Sequence, residues 1–180
     1  MSEESAEVKP ATEAPELDPS EVAYLQQQLH SEQNLALGTA AGVVASFAGA
    51  GIWAAVTFAT GYQIGFMAVG VGFLVGYAIR FAGKGTTTIF GIIGASLALI
   101  GCALGNLLAI TAQLANHSSI PFLDALHQLD PQLIQELMVA FFSPMDLVFY
   151  GIAIYEGFRL SFRQLTTEEL KHMLSGGVQP

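Results

Sequence analysis

Charge is what this chain has least of. Charged residues fill 12% of its 180 positions, about half of the usual quarter. From Leu35 to Ile79, and again from Gly85 to Leu123, there is none. A soluble domain of this size could not keep two such stretches from water, so the soluble classes are excluded. Bases are scarcer still, 6 Lys and Arg against 15 Asp and Glu. With no basic stripe to neutralise phosphates, nucleic acid is excluded as a partner. Cysteine occurs once, as Cys102 in an apolar run, which excludes a disulfide framework within one chain. It reads as a small packing residue. The N-terminus lacks a basic region and opens on Ser2, Glu3 and Glu4, so it does not read as a cleaved signal peptide. The first membrane helix is expected to act as the insertion signal.

What is present is apolar: 52% hydrophobic residues and 19 glycines, with a mean hydropathy of +0.52. The expected fold class is an all-α integral membrane protein, with four transmembrane helices and short interfacial amphipathic helices. Before Leu35 lie eight acids (Glu3, Glu4, Glu7, Glu13, Glu16, Asp18, Glu21, Glu32) and one base, Lys9. Residues 1–18, with Pro10 and Pro15, cannot offset their ordering entropy and are expected to be a disordered acidic arm. Asp18 as N-cap, Pro19 and Glu21 open an amphipathic juxtamembrane helix over 19–33.

Hydropathy predicts a membrane domain over 35–162, with spans at 35–58, 62–79, 89–112 and 144–162. Thr60 and Gly61 read as a tight turn between the first two spans. Arg80 to Thr88 reads as a polar loop. The segment 113–142 holds two amphipathic stretches, one after Pro121 and one opened by Asp130 and Pro131. Each is too short and too polar on its far side to cross, so both read as interfacial helices. Ser143 as N-cap, Pro144 at the first position and Asp146 at the third open the fourth span. A cytoplasmic tail follows at 163–180. Four spans put both termini and the 80–88 loop on one side. That side carries Lys9, Arg80, Lys84, Arg159, Arg163 and Lys171, all six bases of the chain. The positive-inside rule then predicts cytoplasmic termini.

Glycine supplies the most specific pattern. Fifteen of the 19 glycines fall between Gly38 and Gly105. At 100° per residue, Gly38, Gly42, Ala45 and Gly49 share one narrow arc of the first helix. Gly61, Gly65, Ala68, Gly72 and Gly76 do the same on the second. Gly91, Gly94, Ala98, Gly101 and Gly105 do so on the third. Such ridges let backbones approach closely in lipid. The stripes are expected to pack either on one another or on a second copy or a partner protein, and the spacing leaves both open.

Polar residues inside the spans are the candidate sites. Asp146 reads as a cap near the outer interface. Glu156 and Arg159 read as an interfacial ion pair, with Arg163 on the same face. Asn106 is expected to bond across helices, as are Ser46, Ser96 and Gln63. Arg80 and Lys84 are expected to meet anionic lipid head groups. The run Gly83–Lys84–Gly85–Thr86 is not a phosphate loop: Ala78 stands where the motif needs glycine, and Gly85 where it needs Ser or Thr. Asp124, His127 and Asp130, with His117 nearby, read as a solvated face rather than a metal site. No catalytic residue, cofactor or metal is expected.

The runs GYQIGFMAVGVGFLVGYAIRFAGKGTTTIFGIIGASLALIGCALGNLL (61–108) and MDLVFYGIAIYEGFRLSF (145–162) resemble a group of small bacterial multi-span inner-membrane proteins of uncharacterised function. Some relatives carry an N-terminal zinc ribbon, which is lacking here because the arm has no Cys or His pair. The resemblance implies a bacterial inner membrane and no active site. The expected function is a non-enzymatic structural or interaction module that packs through glycine seams and self-associates. Its expected partners are the bilayer, a second copy and a cytoplasmic protein reaching the acidic arm. The alternative is a small homo-oligomeric channel.

Overall fold

The structure, a computed structural model, describes residues 30–163 apart from 63 and 142, and positions 20, 23, 24 and 27 before them. The chain divides into two units, 1–29 with 165–180 and His30–Gln164. In the first unit the described positions are helical. The expected acidic arm, its cap at Asp18 and Pro19, and nearly all of the tail at 163–180 lie outside the described residues.

Six helices are described in the second unit: α1 Leu35–Thr60, α2 Met67–Gly83, α3 Thr88–Ser118, α4 Phe122–His127, α5 Pro131–Phe141 and α6 Pro144–Leu160. α1 and α3 are long and apolar enough to cross a bilayer singly, and α5 with α6 would make a third candidate if that bent pair were one span. α2 and α6 have 17 residues each, or ~26 Å of helix, against a hydrocarbon core of ~30 Å.

Several helix boundaries differ from the expected span limits. The second helix starts at Met67, not 62. Gly61 takes the left-handed conformation (φ 71°) and its N–H donates to the Thr57 carbonyl, which closes α1. The following apolar residues form a turn rather than a helix, with Met67 N–H on Ile64 O and Ala68 N–H on Gly65 O. That helix also runs on through Arg80 to Gly83, because a terminal arginine carries its charge out of lipid without ending the helix. α3 continues to Ser118 instead of stopping at 112. Its 31 residues give ~46 Å, so Gln113 to Ser118 prolong the helix beyond a core of ~30 Å.

The caps read from sequence at Asp130 and Ser143 are in place, and Asn34 supplies a further one that was not read. Asn34 Oδ1 accepts from Leu37 N–H at 2.8 Å to start α1. Asp130 Oδ1 accepts from Leu133 N–H at 2.7 Å to start α5. Ser143 and Asp146 form a capping box on α6, with the carboxylate accepting from Ser143 N–H at 2.8 Å. α6 itself ends at Leu160, two residues before the expected 162.

α2 and α3 pack on each other, and each also packs on α1 and on α6, which places α1 and α6 on opposite sides of that pair. α4 and α5 touch α3. α5 turns away from α6 by 100°. Small residues dominate the interior: Ala45, Ala50, Ala68, Ala98, Ala109, Ala112 and Ala153 are buried beside Trp53, Val71, Val75, Ile79, Phe90 and Tyr150. Among the described residues no charged side chain is buried.

Candidate functional site

A glycine matters to packing when a Cβ placed on it would meet a neighbour. By that measure the first stripe faces this chain's own helices. A Cβ on Gly38 would lie 3.0 Å from the Gly83 Cα, one on Gly42 2.6 Å from Ile79, and one on Gly49 3.2 Å from Val71. On α2, Gly72 meets the Ala153 backbone at 2.5 Å and Gly76 meets Leu160 at 2.7 Å. On α3, Gly91 sits against Phe158 and Phe162, Gly94 against Ser161 and the Gly157 carbonyl, Gly101 against Ser46 and Val71, and Gly105 against Trp53. The three ridges thus face helices of the same chain.

The second stripe needs correction. Gly61 and Gly65 precede α2, so the ridge on that helix is Ala68, Gly72 and Gly76. Gly61 has nothing within 4 Å and serves as the left-handed cap, where a side chain would be strained. Gly65 packs on Phe149 and on the Asp146 carboxylate from the turn. Three further glycines belong to the packing and were not read from the sequence. Gly157 supplies the α6 side of the contact with Gly94 and Ala98, and Gly83 and Gly85 make room for the Phe90 ring. Gly157 follows Ala153 by four residues, a signal too short to stand out. Gly83 and Gly85 lie at the helix end and beyond it, where no helical period applies. By contrast Gly51, Gly70 and Gly151, all out of phase with the stripes, have nothing within 4 Å.

Polar side chains add hydrogen bonds between helices. Ser46 Oγ donates to Leu97 O at 3.0 Å, Cys102 Sγ to Ala68 O at 3.6 Å, and Tyr150 Oη to Cys102 O at 3.2 Å. Asn106 is 1% exposed, on the buried side of α3. Asn116 Nδ2 donates to Phe58 O at 3.0 Å. Ser96 instead donates to Ile92 O within its own helix. Residue 63 lies outside the described residues.

The two ends of the bundle differ in charge. At one end the Lys84–Thr87 turn is tied to both flanking segments: Asn34 N–H donates to Gly83 O and Arg163 N–H to Gly85 O, each at 2.9 Å, and Gln33 Nε2 donates to Thr86 Oγ1 at 2.6 Å. Arg80, Lys84, Arg159 and Arg163 belong to this end. The other end carries Asp124, Asp130, Glu136 and Asp146. Lys84 is the left-handed cap of α2 (φ 48°) and lies 3.8 Å from Glu32 in an exposed ion pair. Arg159 does not pair with Glu156 as expected. It lies over the Tyr155 ring at 6.0 Å from the centroid, with Nη1 3.5 Å from the hydroxyl. A ring four residues back on the same face offers the guanidinium a cation–π contact. Among the described residues no three His, Cys, Asp or Glu side chains cluster as metal ligands.

The described elements make an all-helical protein whose two to three candidate membrane spans suggest a multi-pass membrane protein. Comparison with known protein families, with curated proteins and with solved structures finds no match.

Proposed function

We propose that the protein is a non-enzymatic structural module of a bacterial inner membrane that crosses four times, through α1, α2, α3 and α6, and self-associates. The observation that carries the structural reading is that the seam glycines are occupied by the chain's own helices, so the seams hold one bundle together and pairing would use another face. The fourfold crossing is supported by the packing of the short α2 and α6 alongside the long α1 and α3. It is supported too by the 100° bend that lays α5 across the axis of α6. All four described bases at one end support cytoplasmic termini. There Arg80 and Lys84 would meet anionic head groups, and the acidic arm would be open to a cytoplasmic protein.

Self-association falls to the outward face of α1, where Gly51, Ala55 and Ala59 recur every four residues and are exposed. A second copy would pack there as small-residue helices do in lipid. The test is the oligomeric state of the purified protein in nanodiscs, counted by stepwise photobleaching. A dimer that Gly51→Leu converts to folded monomer is expected. A wild-type monomer at every protein-to-lipid ratio would remove the self-association.

A further inference from the structure

At the cationic end a lysine stands where the backbone favours glycine. Lys84 closes α2 in the left-handed conformation (φ 48°, ψ 31°), one of two non-glycine residues with positive φ among the described residues. Glycine takes that conformation freely and is the usual residue there. Here glycine stands instead on either side, at Gly83 and Gly85, where a Cβ would meet Gly38 and the Phe90 ring. The turn is held by bonds that do not involve the Lys84 side chain: Asn34 N–H to Gly83 O, Arg163 N–H to Gly85 O, and Gln33 Nε2 to Thr86 Oγ1. The ion pair of Lys84 with Glu32 is 3.8 Å long and exposed on both sides, so it adds little to the fold. A strained residue that the fold does not require points to a use for its side chain.

We propose that Lys84, Arg80 and Arg163 hold the phosphate of a single anionic phospholipid, seated along the exposed side of α2. This rests on the reading that this end meets anionic head groups, and adds to it a discrete site. Two backbone hydrogen bonds bring the three bases to one turn: Lys84 N–H donates to Arg80 O at 3.0 Å, and Arg163 N–H to Gly85 O at 2.9 Å. Lys84 and Arg163 are exposed and Arg80 is half-buried. Neither arginine has an ion-pair partner among the described residues, which leaves their charge to an anion from outside. Arginine and lysine donors suit phosphate oxygens. Arg159 stands apart from the set, because its guanidinium lies over the Tyr155 ring, one helical turn back. The same side of α2 offers a path for an acyl chain. Phe73, Tyr77 and Arg80 fall within an arc of ~60°. Phe73, Tyr77 and Phe81 stack in succession, with ring centroids 6.4 and 6.0 Å apart, and all three are exposed. An aromatic strip leading away from a basic turn suits a lipid, whereas a free phosphate would use the turn alone.

Native mass spectrometry of the full chain in detergent, with phosphatidylglycerol or phosphatidylcholine added, counts the lipids retained. One phosphatidylglycerol is expected to be held in preference to phosphatidylcholine, and excess inorganic phosphate not to displace it. Arg163→Gln and Lys84→Gly are each expected to weaken retention by about 10- to 100-fold, the scale of a charge-assisted hydrogen bond. Arg159→Gln removes the same charge from the same end and is expected to weaken it by at most about fivefold, as one base near a charged surface would. Lys84→Gly, which relieves the backbone, is expected to melt no lower than wild type in lipid-free detergent. Equal losses in Arg159→Gln and Arg163→Gln would overturn the site and leave general head-group attraction standing. Equal retention of the two lipids would overturn both. Displacement by inorganic phosphate would overturn the lipid assignment, and a lower melting point for Lys84→Gly would overturn the role given to that side chain.

Discussion

Gly70 and Gly72 lie two residues apart on α2 and face opposite ways, which allows the same methyl group to be added with and without a neighbour. At Gly72 a Cβ would lie 2.5 Å from the Ala153 carbonyl oxygen, 2.7 Å from its Cα and 3.0 Å from its carbonyl carbon. All three are backbone atoms, so no rotamer change relieves the clash. Comfortable carbon contacts are ~3.5–4.0 Å, so α6 would have to retreat by about 1 Å, and a gap of that size forfeits up to about half of the local attraction. Overpacking of this kind costs about 1–3 kcal/mol. At Gly70 a Cβ meets nothing within 4 Å. The intrinsic helix gain of alanine over glycine, ~1 kcal/mol in water, is common to both variants and cancels in their difference. Gly72→Ala is therefore expected to be about 1–3 kcal/mol less stable than Gly70→Ala. Reversible unfolding in mixed micelles with rising SDS, followed by far-ultraviolet circular dichroism, measures it. Equal stability of the two variants, within about 0.5 kcal/mol, would refute the packing argument.

Other substitutions follow from the same geometry. Gly94→Ala is expected to destabilise the bundle, and adding Ser161→Ala to leave the loss largely in place, because the Gly157 carbonyl also occupies the site; the same titration reads both. Phe90, 2% exposed and seated on Gly38, Gly83 and Gly85, is expected to cost about 3–5 kcal/mol on truncation to alanine, seen as a lower midpoint in detergent melts. Ser143→Ala removes half of the α6 capping box and is expected to cost about 0.5–2 kcal/mol. Asp124→Asn, on an exposed position of α4, is expected to stay within about 0.5 kcal/mol of wild type.

The all-helical class, the caps at Ser143 and Asp130, and the phase of the small-residue ridges were legible in the residues. Each is a local property, set by hydropathy or by side-chain period. The start of α2 was not, because Tyr62, Ile64 and Phe66 suit a span and only the backbone at Gly61 shows that the helix has ended. The extent of α3 was missed for the opposite reason. Gln113, Asn116 and His117 look like a boundary to lipid but are no obstacle to a helix. Which side of each ridge meets protein depends on how four helices assemble, and a period within one helix cannot reveal that. The choice of Arg159 between Glu156 and Tyr155 is likewise a matter of rotamer and depth rather than of spacing.

The ridges close against helices of the same chain, and a cysteine pair placed across one of them reports whether they do. A Cβ on Gly101 would lie 2.7 Å from Ser46 Oγ and 3.4 Å from Ser46 Cα, within the reach of a disulfide, whose Cα atoms lie ~4.4–6.8 Å apart. With Cys102 replaced by alanine, Ser46→Cys with Gly101→Cys should oxidise in membranes to a bridge within one chain. Two co-expressed chains carrying one cysteine each should give no mixed dimer. Bridging found only between chains, with none inside the monomer, would contradict that closure.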